Sequence, residues 1–186
     1  MNGTSLTDAD ITAFLFLLIA AGNDSTGLLL TNAWYQGWAY PGIQRAGLDG
    51  RPRDWVAETL RYDPSSQMTA RLATEEIALH GTRIPADARV VLIPASANRD
   101  SRVFSDPDRF DLDRDSSQAV LAFGQGPHFC LGAALARLEA RVALDELGAV
   151  IYSYELDTDL AERVHHPHVR GFVSLPCQVS LRGGER

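Results

Sequence analysis

Six consecutive large apolar side chains, Phe14, Leu15, Phe16, Leu17, Leu18 and Ile19, lie inside an apolar run from Ala13 to Gly22. Consecutive apolar residues cover every face of a helix, so no single neighbouring element can shelter them all. A segment of this kind belongs in the middle of a large helical body. The polar stretch Asn23-Asp24-Ser25-Thr26 interrupts the run before Gly27-Leu28-Leu29-Leu30 resumes it, which leaves it too broken to span a bilayer comfortably. Thr7 or Asp8 caps its start and Pro41 stops it, so the spacing predicts one helix of roughly 45–50 Å at a rise of 1.5 Å per residue.

The remainder of the chain reads as shorter pieces. A loop containing Gly42, Gly47, Gly50 and Pro52 leads to a helix from about Asp54 to Tyr62, closed by Pro64. Strand-like stretches follow at Met68 to Leu72, Glu75 to Leu79 and Arg89 to Ile93, with His80-Gly81 and Pro85-Ala86-Asp87 as turns, and predict a small sheet. From Ser96 to Ser117 the chain is rich in Asp, Arg, Ser and Pro and reads as an irregular meander. Leu131 to about Val150 returns to helix, with Leu135, Leu138, Val142 and Leu147 near a helical repeat, and Arg170 to Leu181 suggests a C-terminal hairpin. The fold class is mostly α with small β sheets (α+β), over residues 1–186 as a single partial domain.

Composition removes several chemistries. All 17 basic residues are arginine, so no lysine serves a Walker phosphate cradle, a Schiff base or general-base catalysis. A net charge of −7 argues against nucleic acid as a partner. Two cysteines, Cys130 and Cys177, are too few for a disulfide framework. No basic n-region precedes the apolar run, so no signal peptide is expected and a cytoplasmic location is.

Three constellations carry chemistry. In Phe123-Gly124-Gln125-Gly126-Pro127-His128-Phe129-Cys130-Leu131-Gly132, two glycines permit tight turns before a cysteine at the start of a helix. There the helix dipole favours a thiolate, fit to act as an anionic metal ligand or a nucleophile; a buried, inert cysteine is the plain alternative. In Ala21-Gly22-Asn23-Asp24-Ser25-Thr26, Gly22 and Ser25 share a helix face. Gly22 leaves room for a small ligand, Asp24 can relay protons, and the Ser25 hydroxyl can open the helix locally. Finally, Glu58 and Arg61 stand one helical turn apart, a spacing that alone describes many solvated faces.

Together these segments resemble the C-terminal half of the cytochrome P-450 family, the haem-thiolate monooxygenases of bacterial soluble type, from about Leu6 to Leu181. The resemblance implies that Cys130 ligates haem (iron protoporphyrin), that Gly124, Gly126 and Gly132 shape its loop, and that Phe123 packs near the sulfur. It implies backbone N–H groups after Cys130 directed at the thiolate, and haem propionates held by Arg71 and His128, although His128 also reads as a solvent-facing turn residue. Asp24 and Ser25 would form the proton-delivering pair, with Ser25 where the family usually has threonine, and Ala21 and Gly22 would line the oxygen site. Glu58, Arg61 and Arg114 would form a buried cluster that pins the meander. Arg137 and Arg141 fall where the family docks an acidic electron donor, but read first as a solvated face.

The implied reaction is oxidation of a small organic substrate by dioxygen, with electrons from a ferredoxin or flavoprotein. The family's N-terminal helices have no counterpart in these 186 residues, which makes a separate N-terminal half a possible partner. Burying each large side chain of the run is worth roughly 1.5–3 kcal/mol. Losing cover over half of them forfeits about 5–9 kcal/mol, comparable to a whole domain's ~5–15 kcal/mol. The chain alone is therefore expected to be marginal. Two rival readings are a truncated, non-catalytic haem-binding remnant and a cysteine-dependent enzyme without haem, in which His128 activates Cys130.

Overall fold

A capping box opens the first helix. In the computed structural model, which describes residues 5–115 and 120–183, the Thr7 hydroxyl accepts from the Asp10 backbone N–H (3.2 Å) while Asp10 Oδ2 accepts from the Thr7 N–H (3.0 Å). Two otherwise orphaned donors are satisfied, and α1 runs unbroken over Asp8–Ala39. By length and composition alone α1 could cross a membrane, contrary to the expectation drawn from its polar interruption. Its last third, however, is packed into protein: Leu29, Asn32, Ala33, Gln36 and Gly37 are buried.

Pro41 ends α1 and also starts another helix. The expected loop is α2, Pro41–Leu48, with proline at its first turn, where the missing N–H would have no partner anyway. Gly50, at φ +111°, makes the following turn. Pro52 then opens α3, Pro52–Tyr62.

These helices close on Trp55, which is fully buried and donates its indole N–H to the Ala33 carbonyl (3.0 Å). Gly47 packs so tightly that a Cβ there would enter the Trp55 ring. Trp34 stacks on Tyr154 with ring centroids 3.8 Å apart, and the Tyr154 hydroxyl donates to the Trp34 carbonyl (2.7 Å).

The expected small sheet is instead two separate antiparallel ribbons. β1 (Thr69–Leu72) pairs with β4 (Arg89–Leu92), and β2 (Ile77–Leu79) pairs with β3 (Thr82–Ile84) across the His80-Gly81 turn. Three residues of β3 are too few to stand out in the sequence between two turn signals. After β4, the one-turn α4 (Pro94–Ala97) leads into the meander, irregular as expected; Ser116 and Ser117 lie outside the described residues.

The last helix, α5, spans Ala133–Val150. Its buried face is Ala133, Ala140, Leu144 and Gly148, while Leu135, Leu138, Val142 and Leu147 are exposed. Periodicity pointed to the larger residues. Close approach selected the small ones: a Cβ on Gly148 would lie 2.7 Å from the Leu48 carbonyl oxygen.

The C-terminal hairpin is not formed. β7 (Phe172–Ser174) pairs with β6 (Glu162–Arg163), and β8 (Cys177–Leu181) returns to β5 (Ile151–Leu156). A single bridge, Ser66 to Val169, ties the end of the α3 region to the loop before β7.

Candidate active site

A buried charge network forms the base of the site. On α3, Arg61 and Glu58 are one turn apart and face inward with 0% and 2% of their side chains exposed. The guanidinium meets the carboxylate as a fork, Nε to Oε2 at 2.8 Å and Nη2 to Oε1 at 2.7 Å. Its other hydrogens go to meander carbonyls: Asn98 (3.1 Å), Pro107 (2.8 Å) and Arg109 (2.9 Å). Glu58 also accepts from the Asp111 N–H (2.9 Å) and from Arg114 Nε (3.3 Å), and Arg114 donates onward to the Ser105 and Asp106 carbonyls. One ion pair thus shapes some fifteen residues that have no ladder of their own.

Asn98 carries that order to the cysteine loop, a role the sequence did not reveal. Fully buried, it accepts from the Leu121 N–H at Oδ1 (2.7 Å), two residues before Phe123. A polar residue directly after the one-turn α4 was the available signal.

In the loop itself, Gly124 and Gly126 hold φ +74° and +76°, which side chains rarely adopt. The Cys130 N–H donates to the Phe123 carbonyl (2.9 Å), folding the loop back on itself. The Cys130 carbonyl accepts from the Ala133 N–H (3.2 Å), a turn that closes before α5 begins, with Gly132 as its cap. The sulfur therefore precedes the helix by three residues instead of sitting in its first turn. It is exposed and free of any disulfide.

Two expectations about the sulfur change. Among the described residues no backbone N–H donates to Sγ, and the cap residue Gly132 only approaches it, a Cβ there standing 4.0 Å away. Nor does any hydrogen bond join His128 to Cys130, so the geometry does not provide a histidine-activated nucleophile. His128 lies in the one-turn 3-10 helix Gly126–His128 and is exposed.

Arg137 and Arg141 are exposed, as a solvated face implies, but Arg137 also has a partner. Its guanidinium lies over the Phe123 ring, 4.4 Å from the centroid. Partial burial lowers its pKa, and attraction to Cys130 opposes that shift. Residues fourteen apart in sequence gave no hint of this pairing.

On α1, Ala21, Gly22 and Asp24 are exposed and Ser25 is half-buried. Ser25 Oγ donates to the Ala21 carbonyl (2.7 Å), yet the segment stays α-helical, so the expected local opening is not seen. A Cβ on Gly22 would meet nothing within 4 Å. Arg71 lies on β1, exposed, and donates to Thr69 Oγ1 (3.0 Å) and the Ala70 carbonyl (2.8 Å). The structure joins Glu58, Arg61 and Arg114 directly; among the described residues no hydrogen bond joins Arg71, His128 or the α1 residues to Cys130.

The family model for cytochrome P450 matches residues 53–178, a span holding both the charge network and the cysteine loop. The chain belongs to the cytochrome P450 family. It is 48% identical to cytochrome P450 123 of Mycobacterium tuberculosis over 98% of this chain and 46% of that protein. It is 39% identical to the cytochrome P450 monooxygenase PikC of Streptomyces venezuelae over 95% of this chain and 44% of that one. Among solved structures, cytochrome P450 CYP109Q5 from Chondromyces apiculatus superposes with a TM-score of 0.93 at 34% identity, over 99% of this chain and 48% of that one. The chain spans about half the length of these relatives.

Cytochrome P450 proteins are haem monooxygenases, and the residues present fit the group. The Cys130 sulfur is exposed and outside any disulfide, a soft donor type suited to iron, and Phe129 and Leu131 beside it expose 51% and 82% of their surface, an apolar setting for a porphyrin.

Proposed function

We propose that this chain supplies the haem-thiolate part of a monooxygenase acting on a small organic substrate, in the cytoplasm, as a partial domain spanning about half of the family fold. The observation that carries the reading is the free, exposed Cys130 sulfur on a loop fixed by two left-handed glycines and by the Cys130 to Phe123 backbone bond. Bound haem supplies an iron centre at which one atom of dioxygen is transferred to substrate and the other is reduced to water.

The chain's own groups have separable tasks. Cys130 binds iron through its thiolate, Phe123 packs beside the sulfur, and Gly124, Gly126 and Gly132 keep the loop thin. Arg71 and His128 hold the propionates. Ala21 and Gly22 would line the oxygen site, and the Asp24 carboxylate and the Ser25 hydroxyl would relay protons to it. To do so Ser25 must release the Ala21 carbonyl it now binds. Glu58, Arg61 and Arg114 keep the loop's support in place. Electrons come from a ferredoxin or flavoprotein.

The test is the spectrum of the reduced, carbon-monoxide-bound chain after reconstitution with haem, with and without an N-terminal polypeptide from a relative. Thiolate ligation shifts the Soret band away from its imidazole position, and Cys130→Ser abolishes that shift. No thiolate band in either mixture overturns the reading. A thiolate band without substrate turnover in the presence of the added polypeptide identifies the non-catalytic remnant.

A further inference from the structure

Away from the cysteine loop, the end of α1, the end of α3, α4 and the β6–β7 ribbon line an open cavity of about 590 Å³. No residue of the 120–132 segment lines it. Its walls carry three arginines, Arg99, Arg163 and Arg170, against one carboxylate, Asp63, so 3 − 1 leaves +2. That recess is positive in a chain whose net charge is −7.

Two of the three guanidiniums are already committed. Arg99 donates from Nε (3.0 Å) and Nη2 (2.8 Å) to the Tyr62 carbonyl and pairs with Asp108 (2.9 Å). Arg170 Nε pairs with Asp63 Oδ1 (2.8 Å), while Asp63 Oδ2 accepts from Gln36 Nε2 (3.0 Å), so the single carboxylate is engaged at both oxygens.

Arg163 is different. Its guanidinium lies 4.1 Å from the Phe172 ring centroid and 4.9 Å from that of Tyr35, and its Nη1 is sealed from solvent without an acceptor. Among the described residues it has no hydrogen-bond or ion-pair partner. A guanidinium cannot shed its charge by losing a proton at ordinary pH, so this one stays charged, partly stripped of water and uncompensated. Arg163 is one of the residues that line the cavity. Its planar fork matches an oxyanion, and aromatic neighbours fix the plane in advance of binding.

We propose that this cavity binds a small oxyanion, a carboxylate or a phosphate, with Arg163 as its principal ligand. The hydroxyls of Tyr40 and Tyr62 share a hydrogen bond at 3.3 Å in the same lining, which leaves one O–H as a further donor.

Calorimetric titration of the chain with sodium phosphate and with sodium acetate, each against sodium chloride at equal ionic strength, tests this. Saturable heat with phosphate or acetate and none with chloride is expected, and the salt that saturates identifies the anion. Arg163→Gln weakens binding at least tenfold, whereas Arg83→Gln, on the β2–β3 ribbon, stays within twofold. If Arg163→Gln does not keep the parent circular dichroism, phenylglyoxal labelling of the parent chain replaces it, and the bound anion then protects Arg163. Equal heats from all three salts, full binding by Arg163→Gln, or protection confined to other arginines overturns the proposal.

Discussion

The two ends of α1 meet opposite surroundings. At the front, Phe14, Phe16, Leu17 and Ile19 leave 45%, 75%, 60% and 69% of their surface in water; at the rear, Leu29 and Ala33 retain 2% and 1%. Both ends are regular helix. The front is held by its capping box and by continuity with a packed segment, since short helices are marginal in water on their own. Helical form therefore reports local bonding, while burial reports what the rest of the chain can reach. Stability is concentrated around Trp55 and Arg61, and the front of α1 contributes little to it.

That contrast can be broken from either side. Arg61→Ala removes the fork from a buried network and leaves Glu58 with only the longer Arg114 contact and the Asp111 N–H, with an expected loss of about 3–5 kcal/mol in urea unfolding. A variant as stable as the parent would mean that the meander is held by something else. Gly47→Ala drives a methyl group into the Trp55 ring and is expected to cost about 1–3 kcal/mol by the same measurement. At the exposed end, Phe16→Ser and Leu17→Ser are each expected to change stability by no more than about 0.5 kcal/mol and to reduce self-association in light scattering. A loss above ~2 kcal/mol for either would show that the front is covered in solution.

The smallest effect concerns pH. Arg102, through side-chain and then backbone hydrogen bonds, holds the half-buried Asp100 carboxyl at about 2. A depressed folded-state pKa makes the contribution complete above the usual carboxylate value of about 4 and removes it as pH falls towards about 2. Asp100→Asn should flatten the acid limb of a stability profile over that window only, and an unchanged profile would assign the limb to other carboxylates.

Legibility in the sequence followed the range of the interactions. The limits of α1 were readable because Thr7, Asp10 and Pro41 act within one turn. The cysteine loop was readable because its glycines and sulfur are consecutive. What the sequence hid depends on partners far along the chain. The small face of α5 was chosen by the Leu48 backbone, and β8 passed over its neighbour β7 to pair with β5. Arg137 found Phe123 only through the turn after Cys130. Pro41 is instructive in another way: the same residue stops one helix and starts the next, and only the stop was anticipated.

Among the described residues, every hydrogen bond from Arg61 to the meander ends on a backbone carbonyl, and its one side-chain contact there is the Phe104 ring, 5.5 Å from the guanidinium. A carbonyl is the same whatever residue bears it, so the path of this segment is decoupled from its lettering. Exposed positions such as Arg102, Val103 and Asp108 are free to drift towards whatever an outside surface requires, while the trace beneath them stays put. Changes in length are another matter, because inserting or deleting a residue between Asn98 and Arg109 would move every carbonyl out of step with a guanidinium that does not move.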